Sequence, residues 1–167
     1  MAQVTFKGTP VHTVGELPAK GSKAPDFSLT TKDLQEKSLE DFKGKKKILN
    51  IVPSLDTGVC AASAKTFEAR ADTLENTVIL TVSMDLPFAQ QRFCSAEGID
   101  NVVTLSAFRA PGFAGNYGVE MSDGPLRGLL ARSVVVLNEE NQVVYTELVP
   151  EIAQEPNYDA AVEALDK

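Results

Sequence analysis

With 167 residues, 43% hydrophobic and 23% charged, the chain has the composition of a folded globular protein with a sizeable core, and its length suits one domain rather than two. A formal charge of -7 repels nucleic-acid phosphates and anionic lipid, so neither is an expected partner. Two cysteines do not make a secreted disulfide scaffold, and with a single histidine a Cys–His zinc cluster would have to recruit carboxylates, so no metal site is expected.

The opening MAQVTFKGTPVHTV has no cationic start and apolar core of a secretion signal, and no later run reaches membrane-spanning length. A cytoplasmic location is expected. The same opening predicts a β-hairpin, because apolar residues alternate on both sides of Lys7-Gly8 and glycine accepts the positive φ of a tight turn. His12 falls in its second strand with no acid or nucleophile nearby in sequence, and receives a structural role. Gly15 to Pro25 is a punctuated connection, and Asp26 to Thr30 alternates with the period of a strand. A short helix is predicted over Ser38 to Phe42. The lysines at 43, 45, 46 and 47 are read as a solvated turn.

Four β-branched runs with little alternation come next: Ile48 to Val52, Val78 to Ser83, Val102 to Leu105 and Val134 to Leu137. That pattern predicts strands buried on both faces. Between the first two, Cys60, Ala64, Phe67, Ala71 and Leu74 recur at steps of three and four, the stripe of a helix, so the segment is a βαβ unit. Pro87 suits a first helical turn and Gly98 a stop, bracketing a second helix through Cys94. The loop from Ser106 to Leu126 holds Phe108, Phe113 and Tyr117, aromatics read mainly as packing. Val134 to Leu137 and Val143 to Glu147 flank a short polar connection and predict an antiparallel pair, with a last helix over Tyr158 to Leu165. The sum is a three-layer α/β fold around a mixed sheet.

Cys60, in the stretch PSLDTGVC, lies in the first turn of the first helix, just past the carboxyl end of a strand. Open α/β sheets place ligand sites there, and the free N–H groups of a helix start favour an anion, which would make the thiol a nucleophile. A second reading stands beside it, a small apolar residue on the buried stripe. Pro53 suits a chain leaving the sheet abruptly, and Thr57 is placed to hydrogen-bond the cysteine. Cys94 is open to the same bland reading as a core residue, and Arg132 to that of a surface ion-pair partner.

Pro53, Thr57 and Cys60 fit the Pro-x-x-x-Thr-x-x-Cys signature of the peroxiredoxins, and NIVPSLDTGVCAAS, DLPFAQQRFC and DGPLRGLLARSVVVL extend the resemblance over nearly the whole chain. The likeness is to the atypical two-cysteine members. It implies a thioredoxin-like fold with an N-terminal hairpin, over residues 1–167. It implies that Cys60 is oxidised by hydrogen peroxide or an organic hydroperoxide to a sulfenic acid, with Thr57 hydrogen-bonding the site, Pro53 shielding it and Arg132 completing it. Cys94 is then the resolving cysteine, closing an intramolecular disulfide that thioredoxin reduces, with no bound cofactor and in a homodimer. Because a disulfide needs Cα atoms within about 7 Å, local unwinding of one or both helices is expected. The role implied is antioxidant defence; the alternative is a thiol switch that senses peroxide and regulates a partner.

Overall fold

A computed structural model describes residues 1–166. The N-terminal hairpin pairs β1 (Gln3–Phe6) with β2 (Thr9–His12) in antiparallel register. Its turn residues Lys7 and Gly8 have φ of 52° and 84°, the two positive values that a two-residue turn between twisted strands requires. The rest is one seven-stranded sheet in the order β4-β3-β7-β6-β5-β8-β9. Its strands are β3 (Leu29–Thr31), β4 (Glu36–Lys37), β5 (Lys46–Ile51), β6 (Thr77–Ser83), β7 (Val103–Ser106), β8 (Ser133–Leu137) and β9 (Val143–Leu148). β5, β6 and β7 are parallel neighbours, whereas β8 and β9 on one side and β3 and β4 on the other run antiparallel, which makes the sheet mixed.

Right-handed crossovers of the βαβ kind need helices to carry the chain back over the sheet, and α1 (Gly58–Ala71) and α2 (Pro87–Glu97) do so. Neighbouring residues of one strand divide between its two faces. Ile48, Val134 and Val136 pack with Phe67 of α1, Cys94 of α2 and Ala161 of α4 (Tyr158–Glu163). Leu49, Ile51, Val135 and Leu137 pack on the opposite face with Phe27, Leu39 and the α3 (Pro111–Asn116) residues Phe113 and Ala114. Three layers result, and the central strands are buried on both sides.

The two long helices follow their sequence signals. Gly98 ends α2 in the left-handed region at φ 69°, its N–H bonding the Cys94 carbonyl. The predicted stripe of α1 holds for the buried Cys60, Ala64 and Phe67, but Leu74 lies beyond the helix end at Asp72. Ser38 caps a single 3-10 turn over Leu39–Phe42, and the last helix finishes as a 3-10 turn over Ala164–Asp166.

Other expectations need correction. The strand expected over Asp26 to Thr30 forms only at Leu29–Thr31, because the Asp26 carboxylate turns back to accept from the Phe27 and Leu39 N–H groups. Lys47 is not part of a solvated turn. It is buried inside β5 with its Nζ 2.5 Å from the Asn141 Oδ1 in the β8–β9 turn, and burial pushes its amine down. Strand β4 and helix α3 lack a legible signal, being two and six residues long.

Gly118 makes a close backbone approach: at φ +68°, a Cβ there would stand 2.2 Å from the Glu16 carbonyl oxygen. Gly118→Ala is therefore expected to cost about 3 kcal/mol, lowering Tm by roughly 6–12 °C in a thermal melt followed by circular dichroism.

Candidate functional site

Strand β5 delivers the chain to the site. The ladder ends at Val52, whose N–H still bonds the Val82 carbonyl, and the buried Pro53 has no N–H with which to continue it. The chain then turns: Ser54 donates through its hydroxyl to the Asp85 Oδ1 at 2.7 Å, and the Leu55 N–H to the Asp85 Oδ2 at 2.8 Å. Thr57 N-caps α1, and Cys60 is the third residue of that helix, fully buried among Val52, Leu55 and Ala64.

Arg132 arrives from the other side, immediately before β8. It is 2% exposed, and its Nη2 lies 3.2 Å from the Cys60 Sγ. Its Nε donates to the Ile152 carbonyl at 2.8 Å, and its own carbonyl accepts from the Val149 N–H. The N-terminal hairpin holds that supporting segment in place. Thr5 bonds Pro150 and Ile152 through its backbone, and the Glu151 carboxylate accepts from the N–H groups of Lys7 and Gly8. Those contacts and the Ala153 N–H, the strongest of them, draw the Glu151 carboxyl down to about 2. The hairpin, far from the cysteine in sequence, thus steadies the strap whose carbonyl aims the guanidinium.

No carboxylate pairs with Arg132 among the described residues, and its Nη1 has no hydrogen-bond partner. A buried guanidinium is costly without full hydrogen bonding, and the Cys60 sulfur and the Ile152 carbonyl are the two partners that the Arg132 side chain has here. The orphan Nη1 is a donor available to a small polar molecule that reaches the sulfur.

Thr57 departs from its expected contact. Its hydroxyl donates to the Ser54 carbonyl at 3.0 Å rather than to the sulfur, and the side chain is exposed at the helix start. Pro53, Thr57, Cys60 and Arg132 are therefore brought to one place, with the threonine tied to the loop.

Cys94 sits apart in α2, 4% exposed, its Sγ 3.8 Å from the Thr104 Oγ1. Burial pushes its thiol up, outweighing the Thr104 contact. Both cysteines are free thiols. They belong to separate apolar clusters, and Phe93, the residue before Cys94, packs against both. Between them the sheet presents a row of register partners, Asn50, Thr81 and Thr104, all buried. At one end Asn50 donates to Ser63, which donates to the Cys60 carbonyl; at the other, Thr104 touches Cys94.

His12 does have an acid beside it. Its Nδ1 is 2.7 Å from the Asp123 Oδ2, and its N–H donates to the Oδ1, two contacts that draw the aspartate down. The pair ties the hairpin to the loop after α3. Phe113 and Tyr117 stack at 4.5 Å inside the core, with the Tyr117 hydroxyl donating to the Pro25 carbonyl, whereas Phe108 is exposed.

Asp85, Ile152 and Asn50 went unassigned in the sequence. Only Asp85 carried a signal, an acid just past the carboxyl end of a parallel strand beside the site.

Comparison with known proteins decides the family. A family model described as Redoxin matches residues 19–162. The thiol peroxidase of Mycobacterium tuberculosis is 57% identical over 165 residues, 99% of each chain. The chain belongs to the redoxin family, with the thiol peroxidases. Among solved structures, a peroxiredoxin-like protein from Aquifex aeolicus superposes on this redoxin with a TM-score of 0.92 and 44% identity, covering 98% of this chain and 95% of the other. A thiol peroxidase from Chromobacterium violaceum shares the fold at a TM-score of 0.89 and 22% identity, over 95% and 91% of the two chains. The mixed sheet and its N-terminal hairpin are thus shared with a solved relative, which superposes over 98% of this chain. No helix among the described residues is long and apolar enough to cross a membrane.

Proposed function

We propose that the chain is a thiol-dependent peroxidase in which Cys60 attacks a hydroperoxide. The observation that carries this reading is the buried Arg132 guanidinium, 3.2 Å from the Cys60 sulfur, with no carboxylate partner and no partner for Nη1 among the described residues. Sulfur attacks one peroxide oxygen in line with the O–O bond, and the departing oxygen takes the growing negative charge. The Arg132 Nη1 and the unpaired N–H groups of the first turn of α1 are donors for the two oxygens. The departing oxygen leaves as water or an alcohol once protonated, and Cys60 is left as a sulfenic acid. Pro53 walls the loop. Thr57, released from Ser54, is a further donor.

Cys94 closes the cycle by condensing with that sulfenic acid, water leaving as the disulfide forms. The bond requires unwinding, since the two sulfurs are buried in separate clusters. A thioredoxin-class dithiol then reduces it, and the reading carries with it a homodimer and a cytoplasmic setting. The relatives' shared name supports turnover over the sensing alternative.

Intact mass spectrometry after one equivalent of peroxide tests the assignment. The wild type is expected to lose the mass of two hydrogens, and Cys94→Ser to gain one oxygen at Cys60 with no intrachain disulfide. Wild type that gains oxygen without losing two hydrogens, or a Cys94→Ser sample that gains no oxygen, overturns it.

A further inference from the structure

The loop that leads into Cys60 and the helix that carries Cys94 are joined by one side chain. Asp85 stands between the end of β6 and the start of α2, half-buried, and its carboxylate accepts three hydrogen bonds. They come from the Ser54 hydroxyl at 2.7 Å, the Leu55 N–H at 2.8 Å and the Ser83 hydroxyl at 2.7 Å. Bonds to an ionised carboxylate are about twice as strong as neutral ones. Ser83 in turn accepts at 3.0 Å from the Nε2 of Gln90, a buried α2 residue one turn before Cys94. The Asp85 carbonyl accepts from the Ser106 hydroxyl, fixing the same corner to β7. An open cavity of about 620 Å³ is lined by Ser54 and Leu55 of the loop, by Asp85, and by Phe88, Arg92 and Phe93 of the helix.

We propose that Asp85 is a positioning residue that latches the Cys60 loop in its peroxide-reactive form and whose release sets the rate of disulfide closing. The inference rests on Cys60 and Cys94 having the roles proposed above. Oxidation needs the loop ordered, because Pro53, Thr57 and the first turn of α1 are placed through Ser54 and Leu55. Closing needs it disordered, because the S–S bond forms only when the helices unwind toward each other. In that step the sulfenic S–O bond breaks, the S–S bond forms, and the sulfenic hydroxyl leaves with the Cys94 thiol proton as water. The cavity supplies the space into which the loop and the Cys94 segment move. An interaction present only in the ordered state speeds the first step and slows the second, so weakening it moves the two rates in opposite directions.

The test is rapid-quench intact-mass kinetics on wild type, Asp85→Asn and Ser54→Ala, with circular dichroism to establish that each is folded. In Asp85→Asn, oxygen uptake is expected to slow about tenfold and disulfide closing to quicken about tenfold, with a smaller change of the same signs in Ser54→Ala. At high peroxide the fraction gaining a second oxygen should fall, because closing outruns it. The inference is overturned if neither folded variant closes faster than wild type, whatever happens to the first step; should Asp85→Asn not fold, Ser54→Ala alone decides. Cys60→Ser is run alongside. If it gains oxygen as fast as wild type, the assignment of Cys60 falls; if it is inert while the latch variants close no faster, only the role of Asp85 falls.

Discussion

Cys60→Ser is expected to lower the rate of hydroperoxide consumption by about 10³-fold or more, measured with cumene hydroperoxide or hydrogen peroxide under thioredoxin recycling. A serine hydroxyl is a much weaker nucleophile than a cysteine sulfur, and the Arg132 guanidinium that lies 3.2 Å from that sulfur does not make up the difference. The fold should survive, since a hydroxyl nearly matches the thiol in size; the loss then belongs to chemistry. Cys94→Ser behaves differently. It should consume one equivalent of peroxide and stop, because the first oxidation needs only Cys60. Wild type that likewise stops after one equivalent in the presence of excess reductant would support the sensing alternative. Full activity in Cys60→Ser would overturn the proposed function.

Arg132→Met should slow the reaction of the thiol with peroxide by about 10²–10³-fold, the usual cost of losing one donor aimed at developing charge. Methionine is unbranched and apolar, two atoms shorter than arginine. Stability is the second readout. Replacing a buried, incompletely bonded charge by an apolar side chain is often neutral or stabilising, so Tm should hold or rise while the rate falls. Loss of both together would instead show that the arginine serves the fold. Arg132→Lys keeps a charge but not the fork that spans the Ile152 carbonyl and the sulfur, and should recover only part of the rate.

The central architecture was legible because its signals are local. Long β-branched runs buried on both faces, the helix stripe through Cys60 and Phe67, and the Pro87 and Gly98 brackets of α2 each act over a few residues. The site was legible for the same reason, since Pro53, Thr57 and Cys60 share a single strand-to-helix turn. Lys47 was misread because a run of lysines looks solvated until the strand register carries its last member inward to meet Asn141. The acid beside His12 was invisible because Asp123 lies far along the chain.

The sequence by itself determined which residues share the strand-to-helix turn, for a thiol after a helix start is a local arrangement, dictated by backbone geometry over a handful of positions. Tertiary structure alone decided what surrounds that thiol. Arg132 meets it because β8 lies antiparallel beside β5, Ile152 aims the arginine because the N-terminal hairpin holds its strap, and Asp85 reaches Ser54 because β6 is the other neighbour of β5. Each of those contacts joins segments distant in the chain, and only packing of the whole sheet brings them within hydrogen-bond distance.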